Sequence, residues 1–392
     1  MSEWKKVKLG EICERITSGG TPKANISSYY DPPTIPWLKT KEVNYCRIRE
    51  TENYISEEGL NNSSAKLIAP NSVIIAMYGQ GDTAGRVAIN KIPLTTNQAC
   101  CNLTINKDKA DYEFIYYQLC TLYNKMVSLK AGAAQPNLNA QIIKNLEVLL
   151  PSLQDQHRIA TILSRYDSLI ENYQKQIKLL EEAAQRLYKE WFVDLHFPSH
   201  ENTKIIEGVP EGWEKKKLID LVNVQYGYAF DGKLFNNNGE GMPILRIRNI
   251  PDGITSDYTT EEASEDYIVH SGDIVVGMDG IFHINSWSGD DTYLVQRACS
   301  FRPKVECIKG FIFQAIQEPI KYFEKTLVGA TVAHLGKKHI DSIELCVPKS
   351  FELYQPFSKF YNQRQGLLSQ IRLLTEARDR LLPKLMNGEI KV

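Results

Sequence analysis

The stretch WKKVKL at residues 4–9 returns later in the chain as WEKKKL at residues 213–218. Three further stretches return in the same order: IPWLK (35–39) as MPILR (242–246), VIIAMYG (73–79) as IVVGMDG (274–280), and QAC (98–100) as RAC (297–299). The offset between the copies falls from 209 to 199 residues, which a few short loop deletions explain. A repeat that keeps its order over this length predicts a duplicated architecture.

Both copies also close with the same succession of residues. Six positions recur 197 residues later: Gly132, Ala133, Leu138, Ile143, Leu146 and Pro151 return as Gly329, Ala330, Leu335, Ile340, Ile343 and Pro348. Within each copy, runs of β-branched residues alternate with helical patterns and with clusters of Gly, Pro and Asn. We therefore predict an α+β protein with two tandem domains of mixed α and β structure, at residues 1–150 and 205–347.

A long helix is predicted after the first domain, at residues 151–197. Ser152 and Asp155 form an S-x-x-D capping signal, and no Gly or Pro follows Pro151 until Pro198. Apolar residues then recur at alternating steps of four and three, which is the period of a coiled-coil seam. These seam positions are 159, 163, 166, 170, 173, 177, 180, 184, 187 and 191.

A matching helix is predicted after the second domain, at residues 348–392. Its apolar residues keep the seam rhythm from Phe360 to Leu385, but Arg364 and Arg378 occupy seam positions. A helix with a one-sided apolar stripe needs a partner in water, so we predict that the two helices pack as an antiparallel coiled coil. The alternative is that they belong to two separate helical cores.

The composition is that of an ordinary folded protein. Of 392 residues, 43% are apolar and 24% are charged, and the formal net charge is −1. The charge is uneven, with +3 in residues 1–150, −7 in residues 201–347 and +4 in residues 348–392. This balance excludes a polycationic nucleic-acid coat but permits a local basic face for phosphates. The charged N-terminus and the lack of an apolar run of roughly 18 residues predict a cytoplasmic protein without a membrane segment.

Sequence patterns of catalysis and metal binding are missing. The eight cysteines form no CxxC pair or zinc-ligand cluster, and Pro198 separates His196 from His200. The stretch DPPT at residues 31–34 resembles the D/N-P-P-aromatic signature of amino-group methyltransferases, but Thr34 cannot stack on a base and no upstream glycine-rich cofactor loop exists. Walker A, G-x-S-x-G and HExxH motifs are absent as well. The sequence therefore predicts no catalytic, cofactor or metal site.

Two stretches carry a resemblance to a known family: LPSLQDQHRI at residues 150–159 and RLLPKLMNGEI at residues 380–390. Together with the tandem repeat and the heptad helices, they resemble the specificity subunit of type I restriction-modification systems over the full length. One departure is that residues 348–356 lack the QDQH run and contain Pro356.

The resemblance implies two target recognition domains, each reading one half of a bipartite double-stranded DNA site. It also implies that the helices separate these domains and dock two methyltransferase subunits, through which restriction and translocase subunits join. The chain itself would then be non-catalytic and would hold no cofactor, since S-adenosylmethionine, ATP and magnesium would belong to its partners.

Candidate base-contacting residues lie beside flexible turns, because Arg favours guanine and Asn or Gln favours adenine in the major groove. In the first repeat they are Tyr78, Gln80, Arg86, Asn97 and Gln98. In the second repeat they are Arg246, Arg248, Asn249, His283 and Arg297. The predicted phosphate anchors of the two repeats are Lys39, Lys41, Lys337 and Lys338. The alternative for each residue is that it caps a loop or pairs with an acidic neighbour. Apolar positions expected to be exposed on the helices, and so to dock partner subunits, are Leu169, Leu179, Trp191 and Phe192.

The predicted helix sets a length. Residues 159–191 are 33 residues and span roughly 50 Å, or at most about 14 base pairs, with one DNA turn of about 10 base pairs favoured. Antiparallel helices further predict half-sites read in inverted orientation. Two other functions stay open at this point: a stand-alone DNA adenine methyltransferase, and a structural coiled-coil adaptor.

Overall fold

The chain forms two compact units in a computed structural model that describes residues 4–131, 137–327 and 333–392. Unit 1 contains the chain up to Leu169 together with Leu374–Val392, and unit 2 contains Ile170–Leu373. Each unit thus includes one repeat and part of both long helices. The boundaries predicted from the sequence, at residues 150, 205 and 347, instead place the long helices outside the two domains, and they stay a prediction. The repeated pairs Gly132-Ala133 and Gly329-Ala330 lie outside the described residues.

Unit 1 is built around a five-stranded sheet in the order β2-β9-β6-β7-β4, in which only β4 and β7 pair in parallel. A three-stranded sheet, β5-β3-β8, and an antiparallel ribbon of β1 and β10 complete it. The elements are β1 (Lys5–Lys8), α1 (Leu9–Ile12), β2 (Cys13–Ser18), β3 (Ile35–Leu38), β4 (Arg47–Ile48), β5 (Tyr54–Ile55), α2 (Glu57–Asn61), β6 (Val73–Ala76), β7 (Val87–Asn90), β8 (Thr95–Thr96), β9 (Cys100–Ile105), α3 (Tyr112–Thr121), α4 (Tyr123–Ala131), α5 (Ala140–Lys144) and β10 (Glu147–Leu150).

The strand β6 lies at the centre of unit 1 and is buried on both faces. Val73 and Ile75 face one hydrophobic core with Phe114 and Leu163, while Ile74 packs in a second core on the other face. This explains why the sequence there is a continuous apolar run, since a strand with one wet face would alternate apolar and polar residues.

Two long helices contribute to both units: α6 (Leu153–Tyr188), followed by a π-helical turn at Lys189–Val193, and α11 (Gln355–Met386). The remaining elements of unit 2 are β11 (Ile205–Ile206), β12 (Val209–Pro210), β13 (Trp213–Lys217), α7 (Leu218–Leu221), β14 (Val222–Tyr226), β15 (Phe235–Asn236), β16 (Met242–Leu245), β17 (Tyr258–Thr259), β18 (Ile268–Val269), β19 (Ile274–Gly277), β20 (Ile284–Ser286), β21 (Thr292–Leu294), β22 (Ala298–Pro303), α8 (Lys309–Ala315), α9 (Gln317–Thr326), α10 (Lys337–Asp341) and β23 (Glu344–Pro348).

The strand pairings confirm the duplication. In unit 1, β6 pairs with β9 and β3 runs parallel to β8; in unit 2, β19 pairs with β22 and β16 runs parallel to β21. The ribbon of β1 and β10 likewise corresponds to that of β13 and β23. The repeated sequences therefore adopt the same local topology.

The predicted N-terminal cap of α6 is confirmed. The backbone N–H of Asp155 donates to the Ser152 hydroxyl (3.2 Å), which in turn donates to the Asp155 carboxylate (2.7 Å). The predicted end of this helix at residue 197 is wrong, because α6 ends at Tyr188 and Leu195 adopts a positive φ of 60°. Left-handed backbone of this kind terminates helices.

The second long helix begins at Gln355, so Pro356 does not prevent its formation. Proline fits the first turn of a helix because the backbone N–H that it lacks would have no intrahelical acceptor there. A short 3-10 turn at Phe351–Tyr354 precedes it and takes the place of the QDQH run that begins α6.

The antiparallel pairing of the helices explains the two arginines at seam positions. In unit 1, Arg378 of α11 donates to Asp167 of α6 (2.8 Å). In unit 2, Arg364 of α11 donates to Glu181 of α6 (2.6 Å). Asp167 precedes Glu181 by 14 residues on α6, whereas Arg378, the partner of Asp167, follows Arg364 by 14 residues on α11. Partners in opposite chain order are what antiparallel helices require. Each seam arginine therefore has an acidic partner on the other helix.

Candidate nucleic-acid interface

A short 3-10 turn follows β3 in unit 1 and β16 in unit 2, and it carries several predicted contact residues. In unit 2 it spans Ile247–Asn249, and the Asn249 side chain accepts a hydrogen bond from the Arg246 backbone N–H (2.8 Å). Asn249 and Arg248 also both donate to the buried carboxylate of Asp257, at 3.3 and 3.1 Å. Arg248 and Asn249 therefore stabilise their own turn, which is the alternative to a base contact. The guanidinium of Arg246 lies 5.4 Å from the ring centre of Phe235.

The matching turn of unit 1 spans Thr40–Glu42 and is capped in the same way, since Glu42 accepts from the Lys39 backbone N–H (3.0 Å). The Lys39 ammonium donates to Asn53 (3.0 Å) and lies 4.9 Å from the ring centre of Trp37. The Lys41 side chain pairs with Glu52 but is 63% exposed.

The loop between β6 and β7 lies beside this turn in unit 1. Arg86 bridges the two segments, since it donates to Asn44 (3.0 Å) and pairs with Asp82 (2.5 Å). Tyr78 is partly buried at the start of the loop, and Gln80 is exposed near its tip.

Tyr45 also belongs to this site, although sequence reasoning missed it. It has a positive φ of 53° and is 39% exposed, and its ring centre lies 6.4 Å from that of Tyr123. Burial of its hydroxyl raises the pKa of Tyr45 to about 12, so the phenol is neutral at physiological pH. A positive φ at a bulky residue is uncommon and could not be read from the sequence.

The turn before β9 holds the other two candidates of unit 1. The backbone N–H of Asn97 donates to Leu38 (2.9 Å), and its side-chain oxygen accepts from the Cys100 thiol (3.3 Å). Gln98 is exposed and contacts the hydroxyl of Thr21. Gln98 is therefore the more available of the two for a ligand.

Three side chains meet at the end of β19 in unit 2. The carboxylate of Asp279 binds the Nε of Arg297 (3.3 Å) and the Nδ1 of His334 (2.5 Å). Arg297 was predicted, but Asp279 and His334 were missed because pairing across 55 residues has no local sequence pattern. The available signal was the alignment of the repeats, which puts Asp279 at the position of Tyr78.

Further basic and neutral side chains lie close in sequence to members of this cluster. Lys337 and Lys338 are exposed at the start of α10, and His283 is partly buried in the loop after β19. Burial, together with the charges of Lys338 and His334, lowers the pKa of His339. The imidazole of His339 is therefore neutral at physiological pH.

Of the four apolar residues predicted to be exposed on the helices, one is buried. Leu169 and Leu179 are 43% and 63% exposed, and Trp191 is partly buried. Phe192 is only 8% exposed and stacks on Tyr188 with ring centres 5.2 Å apart, so its prediction as an exposed docking residue is wrong. Phe192 lies in the π-helical turn, where the regular period of α6 is interrupted.

In the described residues, 4–131, 137–327 and 333–392, no group of three or more His, Cys, Asp or Glu side chains could hold a metal ion. No helix in these ranges is long and apolar enough to cross a membrane. The eight cysteines are free thiols, and burial raises the pKa of Cys101 to about 12.

Comparison with known proteins agrees with this arrangement. The pattern of the type I restriction modification DNA specificity domain matches residues 1–182 and again residues 210–371. The chain belongs to this family. A relative of this specificity subunit, the type I restriction enzyme MjaIX specificity subunit of Methanocaldococcus jannaschii, is 29% identical over 100% of this chain and 94% of its own length.

Two further matches cover less of this chain or have a lower sequence identity. The EcoR124I/EcoR124II specificity subunit of Escherichia coli is 28% identical over 50% of this chain and 48% of its own length. The crystal structure of a type I restriction-modification S subunit from M. genitalium has a TM-score of 0.60 at 18% identity, and covers 98% of this chain and 96% of that one. This second similarity concerns the fold alone.

Proposed function

We propose that this specificity subunit reads a bipartite double-stranded DNA site, with one repeat contacting each half. The observation that carries the proposal is that both repeats present polar loops at matching positions, after β3 and β6 in unit 1 and after β16 and β19 in unit 2. The loops are built on buried strands, so their tips are held in place while their side chains differ between the repeats. A protein that recognises two different half-sites needs loops that are held in matching positions but carry different side chains.

The candidate residues take different roles in this proposal. Gln80, Gln98, Arg246 and Arg297 are proposed to contact bases, with Tyr78, Arg86, Asn97 and His283 lining the same loops. Lys39, Lys41, Lys337 and Lys338 are proposed to contact phosphates. Arg248 and Asn249 are proposed to shape their turn, because both side chains are bound to Asp257.

The subunit is proposed to be non-catalytic and to work in a complex. Two methyltransferase subunits, one for each repeat, would supply methyl transfer, and restriction and translocase subunits would join through them. Leu169, Leu179 and Trp191 are proposed docking positions, and Leu179 lines an open groove of about 500 Å³ between α6 and α11 in unit 2. Since its substrate would be cellular DNA, we expect the subunit in the cytoplasm.

We predict that replacing both Gln80 and Gln98 by alanine changes only one half of the recognised sequence. Losing a bidentate amide contact to adenine costs roughly 1–3 kcal/mol of discrimination at that base. The methylated sequence should be determined genome-wide in cells that express the variant complex. Lys66→Ala, an exposed change outside these loops, serves as the control. An equal change in both halves would contradict the assignment.

A second prediction concerns the gap between the half-sites. Because α6 is one continuous helix of 36 residues, we expect a gap of fixed length, about one DNA turn from centre to centre, with the halves in inverted orientation. Sequencing of methylated bases with and without this gene measures the gap directly. An uninterrupted site, or a variable gap, would contradict the helix as a ruler. Methyl transfer by the purified chain alone would instead favour the stand-alone methyltransferase.

A further inference from the structure

We propose that Asp279 is a positioning residue that aims Arg297 at a guanine in the half-site read by unit 2, with His334 holding the other oxygen of the same carboxylate. This inference rests on the proposed function and adds to it the base that is read and the residue that sets the geometry. The three side chains come from three separate segments of unit 2: the loop after β19, the turn before β22 and the segment before α10.

The Arg297 side chain is the most exposed member of the cluster. The Asp279 side chain is 18% exposed, while those of Arg297 and His334 are 68% and 59% exposed. The Asp279 carboxylate is hydrogen-bonded to His334 and forms an ion pair with Arg297, whose Nε is the nearest nitrogen at 3.3 Å, so the two terminal nitrogens of the guanidinium can serve an external ligand. Two parallel N–H donors match the O6 and N7 acceptors of guanine in the major groove.

The backbone also holds Arg297 in an unusual conformation. Its φ is +70°, a left-handed value that residues other than glycine seldom adopt. The Arg297 carbonyl accepts from the Met278 N–H (2.8 Å), which fixes the turn beside Asp279. Backbone strain that the surroundings enforce in this way is concentrated at functional sites.

A matching frame in unit 1 carries different side chains. The N–H of Leu335 donates to the Met278 carbonyl (2.7 Å), and the N–H of Leu138 donates to the Met77 carbonyl (3.2 Å). The repeat alignment then puts Tyr78, Gln98 and Asn137 where unit 2 has Asp279, Arg297 and His334. The two repeats share this bond but differ at the turn itself, because the Met278 N–H donates to the Arg297 carbonyl (2.8 Å) whereas the Met77 N–H donates to the Ala99 carbonyl (2.7 Å). Different polar side chains on related strands are what two readers of different bases require, and a role in stability alone would not require the exchange.

A base edge suits this cluster better than a phosphate does. Asp279 brings a negative charge next to Arg297, which weakens the attraction of the pair for a phosphate. Lys337 and Lys338 are exposed, and in the described part of the chain neither forms an ion pair with an acidic side chain. These lysines therefore suit phosphates better than Arg297 does. A neutral base edge depends less on this attraction, since the exposed guanidinium can bind it through two parallel N–H donors.

The test uses the complete complex with its methyltransferase subunits and a DNA library randomised in both half-sites. Selection followed by sequencing gives the base preference at each position, and a random-sequence duplex gives non-specific affinity. We expect Arg297→Lys to lower the preference for guanine at one position by about 5- to 150-fold, and Asp279→Asn to lower it at the same position. Non-specific affinity and the other half-site should stay within about twofold.

A variant that prefers a new base must be folded, so a changed preference cannot be explained by loss of structure. Arg297→Gln introduces the residue found at the matching position of unit 1 and should change the preferred base at that position from guanine to adenine. Asp291→Asn is the matched control, because Asp291 also pairs with a histidine, His270 at 2.8 Å, but lies outside the cluster. It should leave every preference unchanged.

Two results would overturn the inference. One is an equal loss of affinity for all sequences in Arg297→Lys and Asp279→Asn, which would assign Arg297 to a phosphate. The other is an unchanged motif in all three variants. If the unmodified complex selects no bipartite sequence at all, the proposed function fails instead, and the two failures are thereby distinguished.

Discussion

Replacing Asp167 by alanine is expected to lower the free energy of unfolding of unit 1 by about 3–5 kcal/mol. The Asp167 side chain is 8% exposed and accepts from Arg47 (2.8 Å), Arg378 (2.8 Å) and the hydroxyl of Tyr117. Without the carboxylate, the guanidinium of Arg47, 5% exposed, loses its ion pair at 2.8 Å, while its contacts with the Tyr117 hydroxyl (2.8 Å) and with Glu113 (3.5 Å) stay. A buried charge that loses its main partner is among the most destabilising of single changes.

Hydrogen exchange of the full chain, measured by mass spectrometry along a urea series, reports each unit separately. Asp379→Asn is the matched control, since Asp379 pairs with the same Arg378 but its side chain is 54% exposed. It should cost at most about 1 kcal/mol. Equal protection of unit 1 in Asp167→Ala and in the parent chain would mean that this network contributes nothing to its stability.

The same network gives unit 1 a defined acid response. Burial by itself would raise the pKa of Asp167, but hydrogen bonds from Tyr117 and Arg378 and the charge of Arg47 outweigh it and lower the pKa. The unfolded chain, where an aspartate titrates near about pH 3.9, then binds more protons than the folded chain in this range. The stability that Asp167 contributes is therefore present above about pH 4 and is lost as the pH falls further. The stability of unit 1 should therefore fall less steeply with decreasing pH in Asp167→Asn than in the parent chain.

Much of the architecture could be predicted because its signals are local or repeated. The duplication is visible as matched strings, the coiled coil as a period of 3.5 residues, and the cap of α6 as Ser152 followed by Asp155. The C-terminal end of α6 was predicted wrongly, because a π-helical turn follows Tyr188, and in this turn Phe192 packs against Phe311 with ring centres 4.8 Å apart. Such tertiary packing leaves no trace in the helical period.

The seam arginines show a second limit of sequence reasoning. Arg364 looks like a defect in the apolar stripe, yet it is 8% exposed and donates to Glu181, Asn285 and Ser286. Its partners lie about 80 and 180 residues away in the chain. A polar residue in a seam can therefore be assigned a role only after the helix pairing is known, since its partner decides whether the charge is satisfied.

For the candidate site, the sequence predicted the loops better than the individual side chains. The loops follow from Gly-rich breaks after buried strands, and Gln80, Gln98 and Arg297 are exposed on them as expected. Whether a given Arg or Asn is available depends on neighbours distant in sequence. Arg248 and Asn249 are bound by the buried carboxylate of Asp257, and this contact requires the folded turn.

Glycine at position 310 is required by a close approach of two helices in unit 2, and Gly310→Ala should therefore be strongly destabilising. A Cβ there would lie 2.1 Å from the Phe357 carbonyl oxygen and 2.8 Å from the Ser358 nitrogen, both backbone atoms of α11. Backbone cannot move aside as a flexible side chain can, so α8 and α11 must separate. Overpacking of this kind costs about 1–3 kcal/mol or more. The contacts of Phe311 with Phe192 and Tyr188 would be strained as well.

Gly366→Ala provides a control of the same chemistry with the opposite expected sign. Gly366 lies inside α11, and a Cβ built there meets nothing within 4 Å. Alanine is favoured over glycine in a helix interior by about 1 kcal/mol, so this variant should stabilise unit 2. Urea unfolding of both variants, followed by hydrogen exchange in α8 and α11, measures the difference. Stabilisation by both variants would show that the packing of α8 on α11 does not determine the choice of residue at position 310, because helix propensity alone favours alanine at both positions.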